Sequence, residues 1–223
     1  MSHIKLADRK LPDYTKGEEV FNYVTHIVGG GFGVLLLIAC VGISAYHTSV
    51  VGALSALIYG ASVIMLYTIS SVYHGLNPGI GKKVLQVIDH CTIYFMIAGT
   101  YTPILMCRII KDSPVAAWLI FALVWGLTAL AVTLTAIDLI KYQIFSQICY
   151  IFIGWAAIFI IPQTIRAVGT AGFSLIVSGG ILYTIGAVIY GIGKKVRYMH
   201  SVFHIFVLLG SFTHAIAIIW FVL

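Results

Sequence analysis

The chain has 223 residues, of which 61% are hydrophobic and only 9% charged, and its mean hydropathy is +1.04. That leaves too little polar surface to cover a water-soluble globule, so an integral membrane protein is expected. The formal charge of +6 does not call for nucleic acid as a partner, because the lysines and arginines cluster in connectors, where they set topology and meet anionic headgroups.

Residues 1–14 mix charges with Pro12 and are expected as a mobile cytoplasmic tail ahead of a single transmembrane domain over 15–223. Thr15-Lys16-Gly17-Glu18 has capping-box spacing and predicts a helix start just before the first apolar run. Apolar runs predict spans at roughly 23–44, 51–74, 84–106, 115–137, 144–165, 172–192 and 199–221, each near the length that crosses a bilayer. Asn77-Pro78-Gly79, Asp112-Ser113-Pro114 and Gly191-Ile192-Gly193 supply turn chemistry after the second, third and sixth of these. The fold class expected is all-α, with seven transmembrane helices. The first apolar run is longer than a signal-peptide core and follows about twenty polar residues, so no cleavage is expected.

Cys40, Cys91, Cys107 and Cys149 all fall in apolar stretches without a C-x-x-C pair, and read as small packing residues. The glycines of Gly29-Gly30-Gly31-Phe32-Gly33 and Gly179-Gly180 read as close helix contacts. Neither Gly81-Lys82 nor Gly193-Lys194 has the remaining residues of a P-loop, so no nucleotide is expected there.

Seven spans place the termini on opposite sides. With the N-terminus inside, the cytoplasmic segments hold ten basic residues, Lys5, Arg9, Lys10, Lys16, Lys82, Lys83, Lys141, Lys194, Lys195 and Arg197, against Arg108, Lys111 and Arg166 outside. This asymmetry assigns the N-terminus to the cytoplasm and the C-terminus to the exterior.

Ionisable groups within spans are costly and need a reason. Here they are His26, His74, Asp89, His90, His200, His204 and His214. The assigned topology brings His74, at the end of span two, to the depth of Asp89, near the start of span three, and of His200 and His204, at the start of span seven. His200 and His204 are one helical turn apart and project from one face about 6 Å apart. Three neutral imidazoles and a water complete a tetrahedral zinc site with one open position, the arrangement of a catalytic Zn2+. With no carboxylate ligand such an ion would ionise a bound water toward hydroxide near neutral pH. Asp89 is placed to act as general base, and Ser70, one turn before His74, to orient water or a carbonyl. The competing reading makes these histidines interhelical hydrogen-bonding groups, with Asp89 paired to one of them.

His214 lies about 15 Å beyond His204 along the helix and cannot share its metal. His90 points about 100° away from Asp89. His3 and His47 fall in tail and loop. Glu19, Asn22 and His26 share one face at the start of span one, where they could support the site from behind, gate it, or form an interhelical polar network.

The ordered set Glu19-x-x-Asn22-x-x-x-His26, Ser70-x-x-x-His74, Asp89-His90-x-x-Ile93-Tyr94-x-x-x-Ala98-Gly99-Thr100-Tyr101-Thr102-Pro103 and His200-x-x-x-His204 resembles the signature of the hemolysin III family, bacterial relatives of the progestin and adipoQ receptors. The resemblance runs from about Glu18 to the C-terminus. It implies seven helices in the bacterial plasma membrane, with zinc held by His74, His200 and His204 near the cytoplasmic face. It further implies that Asp89 contacts the metal's water and that Ser70 completes the polar pocket. Alkaline ceramidases in the wider superfamily imply hydrolysis of a lipid amide or ester. The chain differs from the receptor branch in lacking a long N-terminal domain, which argues against hormone recognition.

Two functions are therefore expected to compete: a zinc-dependent intramembrane hydrolase with a membrane lipid as substrate, and a non-enzymatic cytolytic pore former or membrane-state sensor with structural zinc. A pore would call for a homo-oligomer or a polar lining, and the one evident polar stripe lies at one end.

Overall fold

The computed structural model describes residues 6–47, 49–193 and 196–223. Lys5, Lys194 and Lys195 of the basic count, and His3, lie outside the described residues.

Among the described residues the chain is helical throughout. The helices are α1 (Lys16–Tyr46), α2 (Val50–Gly75), α3 (Ile80–Pro103), α4 (Ile110–Asp112), α5 (Pro114–Ile137), α6 (Gln143–Gly154), α7 (Ile161–Ile192) and α8 (Met199–Ala217). Thr15 caps α1 as its spacing predicts: its hydroxyl accepts from Glu18 N–H, and the Glu18 carboxylate accepts from Thr15 N–H. Pro114 opens α5 at a position where its missing N–H costs nothing. Pro103 has the opposite effect inside the third span. It cannot donate to the preceding turn, and the helix widens into a π-helical stretch over Ile104–Ile109 before α4.

Among the described residues six helical segments are long and apolar enough to cross a membrane: Lys16–Tyr46, Val50–Gly75, Ile80–Asp112, Pro114–Ile137, Gln143–Ile192 and Met199–Val222. The segment Gln143–Ile192 has 50 residues where two spans were expected. It includes a 3-10 stretch at Ala156–Ile160, and Gly169 breaks the helical backbone at φ 71°, ψ 170°. That conformation favours glycine because a side chain there would be strained.

The helices pack in chain order, α1 on α2, α2 on α3, α3 on α5, α5 on α6, α6 on α7 and α7 on α8, and α1 meets α8 to close the bundle. Gly29 and Gly33 bear out the close-contact reading: a Cβ on Gly29 would stand 2.4 Å from the Tyr67 ring, and one on Gly33 3.1 Å from Ile64. Gly30 and Gly31 face more open space. Large apolar side chains such as Leu35, Ile38, Leu119, Ile144 and Ile148 point outward and exposed, the surface that hydrocarbon covers in a bilayer.

The polar segment before α1 is not a free tail where it is described. Leu6–Asp8 forms a 3-10 turn, the buried Arg9 guanidinium donates to the Lys83 carbonyl, and Arg197 donates to the Asp13 carbonyl at 2.5 Å. Arg197 also reaches the Glu18 and Asp13 carboxylates, at 3.3 and 3.5 Å, whereas Arg9 meets a main-chain carbonyl that charge alone does not reveal.

Candidate functional site

His74 sits in the last turn of α2, and His200 and His204 in the first two turns of α8. The start of α8 is set by Tyr198, a left-handed residue at φ 62° whose N–H donates to Glu18 Oε1 at 2.7 Å. The carboxylate that caps α1 thus also fixes the entry to α8. The one-turn spacing then turns both α8 imidazoles toward α2. His200 Nε2 lies 3.2 Å from His74 Nε2 and 3.1 Å from His204 Nε2. One ligand atom from each histidine falls within 4.8 Å of the others. His74 and His204 are buried and His200 partly so.

The outer nitrogen of His74 faces Glu19: Nδ1 is 2.6 Å from Glu19 Oε2. A carboxylate only accepts here, so the proton resides on Nδ1 and Nε2 keeps its lone pair. Glu19 Oε1 in turn accepts from Lys82 Nζ at 2.6 Å. Neighbouring Asn22 ties the two ends of the chain together, its Oδ1 accepting from Ser201 Oγ at 2.7 Å while its amide nitrogen lies 3.5 Å from His74 Nδ1. His26 stacks face to face on His204, with ring centroids 3.7 Å apart and planes inclined by 11°. Tyr14 stacks on His200 at 5.1 Å, and burial raises its phenol above the ordinary tyrosine range.

This set fits a metal ion. One proton on His200 Nε2 cannot bond both neighbours at full strength, whereas one cation accepts lone pairs from all three rings. Two nitrogens bound to one tetrahedral zinc stand about 3.3 Å apart, close to the spacing seen here. The three histidines could therefore hold a metal ion.

Asp89 and Ser70 face one another and line the same cavity as His26, His200 and His204. The cavity, about 130 Å³, continues away from the cluster between Ile93, Ile97, Trp155, Tyr183 and Val207. The chemistry of the wall therefore changes along it, from imidazole and carboxylate to apolar. His90 also reaches this cavity, but its Nδ1 donates to the Gln86 carbonyl at 2.8 Å and it stands outside the triad. His214 is a buried polar contact, its Nε2 donating to the Ile176 carbonyl at 2.9 Å.

The structure thus brings together the triad, Ser70 and Asp89 around the cavity, and Glu19, Asn22 and His26 against the triad, with His90 on the cavity wall but bonded to the Gln86 carbonyl. It adds Tyr14, which had been assigned to the tail, Lys82, which had been counted only as a topogenic charge, and Tyr190, whose ring lies 5.5 Å from His200.

Comparison with known proteins identifies relatives over most of the chain. The model of the family described as Haemolysin-III related matches residues 14–215. The chain is similar to Hemolysin-3 of Bacillus cereus, 33% identical over 210 residues that cover 92% of each chain. A Hemolysin-3 homolog of Bacillus subtilis is 33% identical over 201 residues, 89% of this chain and 91% of that one. More distant is the human monocyte to macrophage differentiation factor, 25% identical over 172 residues, 74% of this chain and 69% of the relative.

Proposed function

The chain belongs to the haemolysin-III related family of membrane proteins, and from its site we propose that it is a zinc-dependent intramembrane hydrolase of a lipid amide or ester. The observation that carries this reading is the convergence of three imidazole nitrogens beside a cavity whose wall holds Asp89 and Ser70 at one end and apolar side chains beyond.

Seven spans accommodate the chain. The 50 residues of Gln143–Ile192 would extend about 75 Å as one helix, against a hydrocarbon core of about 30 Å. In this reading they make two crossings, which the non-helical backbone at Gly169 supports. The triad then shares its end of the bundle with Arg9, Lys10, Lys82 and Arg197, and Arg108, Lys111 and Arg166 occupy the other. The excess of positive charge assigns the triad end to the cytoplasmic side of the plasma membrane.

In this reading His74, His200 and His204 hold the ion and Glu19 orients His74 from behind. When bound, zinc supplies Lewis acidity and eases deprotonation of water near neutral pH. Asp89 accepts the proton of the attacking water and returns it to the leaving group. Ser70, against Asp89, orients that carboxylate or the scissile carbonyl. The apolar walls of the cavity hold the adjoining lipid chain and keep bulk water out.

The test compares membrane lipids from cells carrying the wild-type protein or Asp89→Ala. Accumulation of one amide or ester lipid with Asp89→Ala, with zinc retained at wild-type stoichiometry, is the expected result. Identical lipid profiles together with an unchanged membrane phenotype would remove the hydrolase reading.

A further inference from the structure

Lys82 and Lys83 are adjacent, and by sequence both are connector charges at a membrane boundary. The structure separates them. Lys83 reaches back to the Ala7 carbonyl, whereas the Lys82 side chain is only 5% exposed and turns into the bundle over the Tyr73 ring, 5.3 Å from its centroid. Its ammonium has three acceptors: Glu19 Oε1 at 2.6 Å, the Leu76 carbonyl at 2.9 Å and the His74 carbonyl at 3.4 Å.

We infer that Lys82 is a positioning residue for the metal centre, acting on His74 through Glu19. The inference rests on the triad being a metal site and deepens it. A glutamate on a helix has several rotatable bonds, and a single contact to an imidazole would leave its carboxylate free to turn. Lys82 holds Oε1 from the opposite side, so Oε2 is aimed at His74 Nδ1. It also balances the charge of a carboxylate that is only 20% exposed, which a purely apolar neighbour would not. Its contacts with the His74 and Leu76 carbonyls hold the end of α2, the turn that carries the ligand. One ammonium therefore fixes the backbone of His74 and, through Glu19, its ring.

This arrangement matters more because it is asymmetric. The three rings are held differently: His74 Nδ1 meets a carboxylate oxygen at 2.6 Å, His204 faces the Asn22 main chain, and among the described residues His200 Nδ1 has no hydrogen-bond partner, so His74 is the one imidazole of the three backed by a carboxylate. The orientation of the whole set toward a common point depends on the Lys82–Glu19–His74 chain and on the stacking of His26 and Tyr14.

The experiment measures zinc affinity of the full-length protein in detergent by chelator competition, with Co2+ absorption reporting ligand geometry. The variants are Lys82→Gln, Lys82→Met, Lys82→Arg and, as a control for lost positive charge, Lys141→Met. Lys82→Gln keeps a donor for the carbonyls, so it stays informative if Lys82→Met does not fold. The expected result is zinc binding about tenfold weaker in Lys82→Gln and Lys82→Met, the range found when the outer partner of a metal-ligating histidine is disturbed. The Co2+ bands should shift as well. Lys82→Arg should recover most of the affinity, and Lys141→Met should match wild type. A folded Lys82→Gln with wild-type affinity and spectrum would overturn the role of Lys82 while leaving the metal site standing. Wild-type protein without stoichiometric zinc would instead overturn the metal reading itself, and this inference with it.

Discussion

Replacing Glu19 with glutamine changes one atom and should loosen the metal. In the wild type each carboxylate oxygen faces a donor at 2.6 Å, His74 Nδ1 on one side and Lys82 Nζ on the other. The amide has one acceptor oxygen. If that oxygen serves His74, the NH2 group is driven against the ammonium; if it serves Lys82, the NH2 faces Nδ1–H and the ring must turn or change tautomer. Either outcome costs metal affinity, and outer-partner losses of this kind amount to about 10- to 100-fold. That corresponds to about 1.4 to 2.7 kcal/mol. Chelator titration of Glu19→Gln against wild type measures it directly, with circular dichroism to establish that the helices persist. A folded Glu19→Gln that binds zinc within twofold of wild type would refute the claim that this carboxylate orients His74.

Other expected outcomes follow from the same geometry. His74→Ala, His200→Ala and His204→Ala should each lose stoichiometric zinc, as read by elemental analysis of purified protein, and full retention in all three would sink the ligand assignment. Tyr14→Ala should speed the loss of zinc to a chelator, because that ring is stacked over His200; an unchanged rate would show that the N-terminal segment does not shield the centre. Gly29→Ala puts a methyl group 2.4 Å from the Tyr67 ring, whose hydroxyl donates to Ser211 at 2.7 Å. Overpacking of this kind costs about 1–3 kcal/mol, so its thermal midpoint in detergent should fall clearly, while Gly31→Ala, in open space, should stay close to wild type.

Much of the architecture could be read from residues before any coordinates, because a bilayer limits what a chain can do. Apolar runs marked the long helical segments, except that the runs at 144–165 and 172–192 fall in one segment, Gln143–Ile192. The capping box of Thr15 and Glu18, the Ser113-Pro114 break and the Gly191–Gly193 turn fall where local chemistry puts them. The expectation that His74 lies level with His200 and His204 comes from the alternation of spans, and the structure brings one ligand atom of each within 4.8 Å of the others. What escaped depends on helical phase and on the backbone. Lys82 and Lys83 have the same composition and differ by about 100° around α3, so one enters the bundle and the other leaves it. Tyr14 and Arg9 belong to a segment without periodicity, and their partners are an imidazole face and a main-chain carbonyl. The π-helical stretch after Pro103 and the break at Gly169 depend on backbone register, which apolar periodicity does not report.

The double use of Glu18, capping α1 and receiving the Tyr198 N–H, has a consequence for biosynthesis. The candidate ligands His74 and His200 are separated by 126 positions, and α8 packs on α7 and α1, both made before it. A ribosome must therefore release the chain through the start of α8 before three imidazoles can face one point. Until then His74 is present without the two imidazoles of α8, so on the proposed reading metal capture becomes a late event that reports completed assembly.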